Sequence, residues 1–338
     1  MIPVADAAAT VPERYYTHNP DRGPTDNRSN PVVIHRELTT LGVAEGMSVL
    51  EVGTGSGYSG ALLSHIVGPS GRVTSLDIDP YLTRWANLIH HQRGLGNIAC
   101  HTGDGTAGWL DDAPYDRLVA WCAPPLLPQA WVDQLAVDSV IVTALPIAEV
   151  PHLTVVVKLI VGVGGPRVEE VYHGGYIETG TSPRADFDVP LRWVDWENRV
   201  PAPSWISTAW REEDDWLRTG ARTALERLLK NAYTEPYQGG ALDWDSWRTY
   251  AAAVGGMHLT AAEVAVDELG LGHSVPGSTA VIREDGTILA DAPDSPSLVA
   301  LRGWLAGWEN AGRPAPETYT PALDRDDAAG GWHLRLSR

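Results

Sequence analysis

The stretch Val49-Leu50-Glu51-Val52-Gly53-Thr54-Gly55-Ser56-Gly57-Tyr58 constrains the fold of this chain more than any other. An apolar run enters a turn with glycine at alternate positions and leaves it as the start of a helix. Asp77 follows at the end of a second apolar run that begins at Arg72. These pieces make one βαβ unit of the kind that holds a nucleoside. The glycines let the backbone approach a ligand, and a strand-end carboxylate bonds ribose hydroxyls.

Two glycine templates fit the turn. Gly53, Gly55 and Gly57 form the E-x-G-x-G-x-G turn of S-adenosylmethionine (SAM) methyltransferases, while Gly55, Gly57 and Gly60 also satisfy the G-x-G-x-x-G string of dinucleotide-binding proteins. Two details favour SAM. The apolar run ends at Val52, so the turn opens at Gly53, which the dinucleotide template leaves unexplained. A further loop, Thr102-Gly103-Asp104-Gly105, follows the third predicted strand, where such methyltransferases place a carboxylate beside the adenine amino group.

Blocks elsewhere sharpen this. Ser29-Asn30-Pro31 precedes the first helix. Gly71 to Asp77, Gly103-Asp104-Gly105 with Gly108-Trp109, Ala113-Pro114-Tyr115-Asp116-Arg117 and Ala123 to Pro128 follow in order. Over residues 20–180 the chain resembles the protein-L-isoaspartate O-methyltransferase family. The resemblance implies methyl transfer from SAM to the carboxylate of an aspartyl or isoaspartyl residue in a peptide. Chemically, a carboxylate at neutral pH is already a nucleophile toward a sulfonium methyl group, so the protein need only align the reactants and exclude water.

The resemblance assigns the cofactor to Glu51, Val52, Gly53, Thr54, Gly55, Ser56, Gly57 and Tyr58, with Asp77 and Ile78 at the ribose. Gly103, Asp104 and Gly105 take the adenine, and Trp121 joins the set. Ser29 is expected against the reacting carboxylate, with Asn27, Arg28 and Asn30 around the substrate. Two plain readings stand beside these. Asp104-Gly105 is also a turn former, and Ser29-Asn30-Pro31 is also a helix N-cap.

The chain departs from the family on the acceptor side. Asn27-Arg28-Ser29 stands where the family has Thr-Ile-Ser, and Trp121-Cys122-Ala123 where it has Thr-Ala-Ala. Val137-Asp138 replaces a Gly-Gly pair. This rebuilt side and the long C-terminal extension resemble the offshoots that tailor lanthipeptides and related ribosomally made peptides. Tailoring of one precursor peptide, its ester collapsing to aspartimide, is therefore preferred to repair of isoaspartyl proteins.

Composition sets outer bounds. The 338 residues suffice for two cores. A net charge of -18 disfavours nucleic acid and anionic membrane as partners. Ala123-Pro124-Pro125-Leu126 lacks both the Asn/Asp and the aromatic of nucleic-acid amino-methylating enzymes. No signal peptide or membrane helix is read from the N-terminus, which places the expected enzyme in the cytoplasm. His90-His91 are read as surface residues, no metal is expected, and Cys122 is read as a small core or pocket residue.

The expected fold is α/β: a doubly wound Rossmann-like sheet of the class I methyltransferase type with a small C-terminal α+β domain. Residues 1–180 form the first domain, 181–204 a linker rich in Pro, Asp and Trp, and 205–338 the extension. Within the extension a long helix is predicted over Glu212 to Ala232. A hairpin is expected at Asp285-Gly286, a helix after the cap Ser295, and a last strand over Trp332 to Leu336.

Overall fold

A computed structural model describes residues 2–19, 23–25, 29–184 and 187–338. The chain divides into two compact units, each assembled from separate stretches. The first takes residues 1–145, 156–183 and 322–334, and the second takes 146–155, 184–321 and 335–338.

The first unit carries a seven-stranded sheet. Its strands are β1 (Ser48–Val52), β2 (Arg72–Asp77), β3 (Ile98–Thr102), β4 (Tyr115–Ala120), β5 (Leu135–Pro146), β6 (Thr154–Gly162) and β7 (Gly165–Tyr172). Their spatial order is β7-β6-β5-β4-β1-β2-β3. β1 lies between β2 and β4 and is parallel to both. Parallel pairing extends to β3 and β5, while β6 and β7 close one edge as an antiparallel hairpin. This is the expected Rossmann-like sheet, and it sets the turn after β1 at its centre.

Helices α1 (Val4–Thr10), α2 (Arg14–Thr17), α3 (Pro31–Leu41), α4 (Tyr58–Val67), α5 (Pro80–Gln92) and α6 (Gln129–Asp133) belong to this unit. α4 is buried along nearly its whole length, and its buried hydroxyls are paired, Ser59 with Glu51 and Ser64 with Asn97. α5 is amphipathic, begins under the cap of Asp79 and buries Thr83, Ala86, Ile89 and His90. Their apolar faces join Val49, Val73 and Val119 in one core.

The second unit holds another seven-stranded sheet. It comprises β8 (Trp196–Asn198), β9 (Ser204–Thr208), β10 (Tyr233–Pro236), β11 (Leu259–Glu263), β12 (Leu269–Val275), β13 (Ser278–Arg283) and β14 (Thr287–Ala290), in the order β8-β9-β11-β12-β13-β14-β10. Adjacent strands run antiparallel. Side chains alternate between faces as the strand period requires. Trp205, Ala261, Ala280, Ile282 and Ile288 meet α8 (Trp244–Gly255) and α9 (Pro296–Asn310), whereas Ile206, Ala262, Val281 and Leu289 meet α7 (Thr219–Asn231).

Two local expectations are corrected. The helix predicted from Glu212 begins only at Thr219, because Arg218 adopts a left-handed backbone and Asp214 accepts hydrogen bonds from the amides of Gly220 and Ala221. The last strand is present as Gly331–Ser337, but it starts in the first unit and not in the extension, with Gly331 and Trp332 pairing with Pro128 and Leu127 of that same unit.

Candidate functional site

The turn after β1 depends on three left-handed glycines, Gly53 (φ +94°), Gly55 (φ +51°) and Gly57 (φ +84°), a conformation other residues adopt at a cost. The amides of Gly53 and Thr54 donate to the carbonyl of Leu76 at 2.7 and 3.0 Å, fixing the turn to the end of β2. A Cβ at Gly55 would meet nothing within 4 Å, so the backbone lies bare there. At Gly57 it would come 2.9 Å from the Cβ of Ala86, so that residue is hemmed in from behind.

Asp77 ends β2 as expected. Its Oδ2 accepts from the Gly55 amide at 2.9 Å and its Oδ1 from the Asp79 amide at 3.0 Å. Burial raises its pKa, while those amide bonds oppose the rise.

Glu51 occupies a different place from the other turn residues. It is fully buried behind the turn, accepting hydrogen bonds from the hydroxyl of Ser59, that of Ser75 at 2.6 Å and the Trp121 indole at 3.0 Å. Burial pushes its pKa up against those three bonds. A Cβ on Gly60 would stand 2.8 Å from Glu51 Oε2, so Gly60 serves close helix-to-strand packing. Ser59 and Ser75 escaped the sequence reading. Nothing in their local sequence marks them, because their partner Glu51 meets them only in the fold.

Around this core the remaining predicted residues fall as follows. Val52 is the last residue of β1, and Thr54 bonds the Ser75 hydroxyl at 2.7 Å. Ser56 and Tyr58 are buried, and the Tyr58 hydroxyl meets His35 Nε2 at 3.1 Å. Ile78 is half-buried beside Asp77, and Gly103 has open space where a Cβ would go. Gly105 touches Val52, since a Cβ there would lie 2.3 Å from Val52 Cγ1. Exposed Asp104 uses Oδ1 to accept from the amide and hydroxyl of Thr106, at 2.9 and 2.7 Å, and so forms the turn.

Capping at α3 belongs to Asn30, whose Oδ1 accepts from the Val32 amide at 2.9 Å. Ser29, half-buried, is thereby relieved of the capping role. Asn27 and Arg28 lie outside the described residues.

His90 corrects the surface reading. It is 2% exposed, its ring lies 5.6 Å from that of Tyr16, and burial lowers its pKa to about 4. Among the described residues neither ring nitrogen has a hydrogen-bond partner. His91, by contrast, is exposed. The spacing Thr83, Ala86, His90 is one helical face, and that was the available signal.

Cys100 is buried and its thiol is pushed up to about 12, so it is no nucleophile. Among the described residues no cluster of His, Cys, Asp and Glu is arranged to hold a metal, and no helix is long and apolar enough to cross a membrane.

The backbone is bare at Gly55 and Gly103, and the Gly103 amide donates to the carbonyl of Asp77 at 2.9 Å, so the loop after β3 is joined to the end of β2. Residues 7–159 match the family described as protein-L-isoaspartate(D-aspartate) O-methyltransferase. A protein-L-isoaspartate O-methyltransferase of Methanococcus maripaludis is 44% identical over 95 residues, 28% of this chain and 45% of its own length. Protein-L-isoaspartate O-methyltransferase 2 of Archaeoglobus fulgidus is 39% identical over 132 residues, covering 37% of this chain and 59% of that protein. The chain thus spans about half the length of these curated relatives. A solved protein-L-isoaspartate O-methyltransferase aligns over 99% of this chain and 94% of its own, at 15% identity and a TM-score of 0.49.

Proposed function

We propose that the first unit, most of which matches the protein-L-isoaspartate O-methyltransferase family, methylates a carboxylate of an isoaspartyl or aspartyl residue in a peptide, with SAM as donor. The observation that carries this is the left-handed glycine turn held against Asp77 at the centre of a parallel sheet, within the family match. SAM would supply an electrophilic methyl group on a sulfonium.

The chain's own residues do the rest. Gly53 to Gly57 present backbone amides to the methionine end, and Asp77 takes the ribose diol. Asp104 stands at the adenine, using the oxygen it does not give to Thr106. The carboxylate of Asp77, whose charged form is held by the amides of Gly55 and Asp79, biases the site toward a cation. Ser29 orients the acceptor carboxylate. No general base is required, because that carboxylate is ionised at neutral pH. Catalysis then rests on alignment and exclusion of water.

Of the two acceptor classes, the relatives' names favour isoaspartyl proteins, consistent with repair. The second reading, dedicated tailoring of one precursor peptide to aspartimide, draws on Trp121-Cys122 and on the second unit with its own seven-stranded sheet. Mass spectrometry of an isoaspartyl and an aspartyl peptide incubated with enzyme, SAM and hydrazine separates them. Methylation of the isoaspartyl peptide alone supports repair. Hydrazide formation on the aspartyl peptide supports tailoring. Turnover of neither, with S-adenosylhomocysteine (SAH) still bound, excludes both generic acceptors and leaves a dedicated peptide.

A further inference from the structure

The order β3-β2-β1-β4 divides the site. Asp77 ends β2 and Asp104 follows β3, so the nucleoside half of the cradle lies on that side of the turn. The methyl end lies on the other, where β4 runs into Trp121. The Trp121 indole donates to Glu51 at 3.0 Å, its amide donates to Val52 at 2.8 Å, and its Cβ lies 3.3 Å from where Gly53 would carry one.

A single segment, residues 172–179, is clamped onto this end from two directions. Ile177 and Glu178 pair in parallel with Cys122 and Ala123, the Thr179 amide donates to Ala123 at 3.0 Å, and the Tyr176 ring meets Trp121 edge-on at 6.1 Å. At its other end the Tyr172 hydroxyl donates to Glu37, a fully buried carboxylate of α3 paired with Arg36 at 2.7 Å. The Arg36 guanidinium also lies 4.9 Å over the Tyr172 ring. α3 is the helix that begins directly after Ser29 and Asn30. The segment is therefore tied both to the cofactor turn and to the helix that carries the acceptor loop.

We propose that residues 172–179 form the wall that selects the carboxylate-bearing peptide, and that Trp121 is the positioning residue that ties this wall to the cofactor turn. This rests on the function proposed above. A ligand on the turn restricts Glu51 and, through the indole, the wall. The small residue that the family resemblance leads one to expect at this position has no N–H for Glu51 and no ring for Tyr176.

The test is amide hydrogen exchange with SAH as the probe, on the whole chain and on Trp121→Phe, which keeps the ring and removes the donor. In the native chain SAH should slow exchange over 53–58 and over 172–179. In the variant, at saturating SAH, the first protection should persist and the second should fall about tenfold. The KM for an isoaspartyl peptide should rise about fivefold, a larger factor than any fall in kcat. Protection of the turn alone in the native chain, or equal weakening of both regions in the variant, overturns the proposal.

Ile177→Asp is a second variant that spares the core, since Ile177 is 49% exposed. A negative charge on the wall should raise peptide KM severalfold and leave SAH affinity unchanged, and an unchanged KM overturns the assignment of the wall. Two other results bear on the parent function. Absence of SAH protection anywhere sinks the cofactor reading and this inference with it. A native chain that binds SAH but leaves the isoaspartyl peptide unmethylated sinks that acceptor, and the exchange comparison still decides the role of Trp121.

Discussion

Gly55 and Gly57 share a left-handed backbone and differ in what a methyl group would meet. Alanine at Gly55 costs about 1–2 kcal/mol of backbone strain and projects into the open cradle. It should lower SAH affinity at least tenfold in a calorimetric titration while the melting temperature falls modestly. Alanine at Gly57 carries the same strain and also collides with Ala86, which raises the loss to about 2–4 kcal/mol. Its thermal melt should therefore shift further than that of Gly55→Ala, and equal shifts would contradict the packing described. Both glycines were legible in the sequence as members of one motif. Their different duties were not, because Ala86 arrives from another helix.

Elements show the same division between pattern and partner. α5 reads as amphipathic, yet His90 reads as a surface residue in the sequence, where no carboxylate or cysteine pair accompanies it, and the fold buries it on the Thr83-Ala86 face. Its pKa, near 4 when folded against an ordinary 6.5, means the unfolded chain takes up a proton first as pH falls. Stability from this group is complete above about pH 6.5 and is lost toward pH 4, on the order of 3 kcal/mol in total. His90→Leu removes both the titration and the unpartnered nitrogens. Urea unfolding at pH 7.5 and pH 5 should show a smaller pH loss in this variant, and an identical loss would remove His90 from the account. In the second unit, α7 is capped from outside by Asp214. Asp214→Ala should cost about 1 kcal/mol in urea unfolding and leave SAH binding untouched, since no cofactor element is involved.

At the scale of the whole molecule the chain's ends and excursions matter. The strand Gly331–Ser337 pairs with Leu127–Pro128, and Trp332 and Leu334 are buried. Trp332→Ala should destabilise the first unit by about 3–5 kcal/mol. In a thermal scan it should lower the transition that SAH raises. A shift only in a transition insensitive to SAH would place this strand elsewhere. The sequence drew boundaries at 181–204, whereas β8 already begins at Trp196 and residues 146–155 join the second unit. Contiguity is the default assumption for a sequence, and nothing in local composition signals a chain that crosses between units.

The sequence by itself determined the Rossmann-like sheet, the glycine turn and the strand-end Asp77, because each follows from periodicity and from backbone freedom that only glycine supplies. The hairpin at Asp285-Gly286 and the Ser295-capped helix were equally local and equally legible. Only the tertiary structure decided that Glu51 sits behind the turn under Ser59, Ser75 and Trp121, that His90 is buried, and that residues 172–179 are clamped between α3 and the end of β4. Each of these depends on groups far apart in the chain meeting in a desolvated place, where a carboxylate, an imidazole or an indole N–H takes its character from its neighbours.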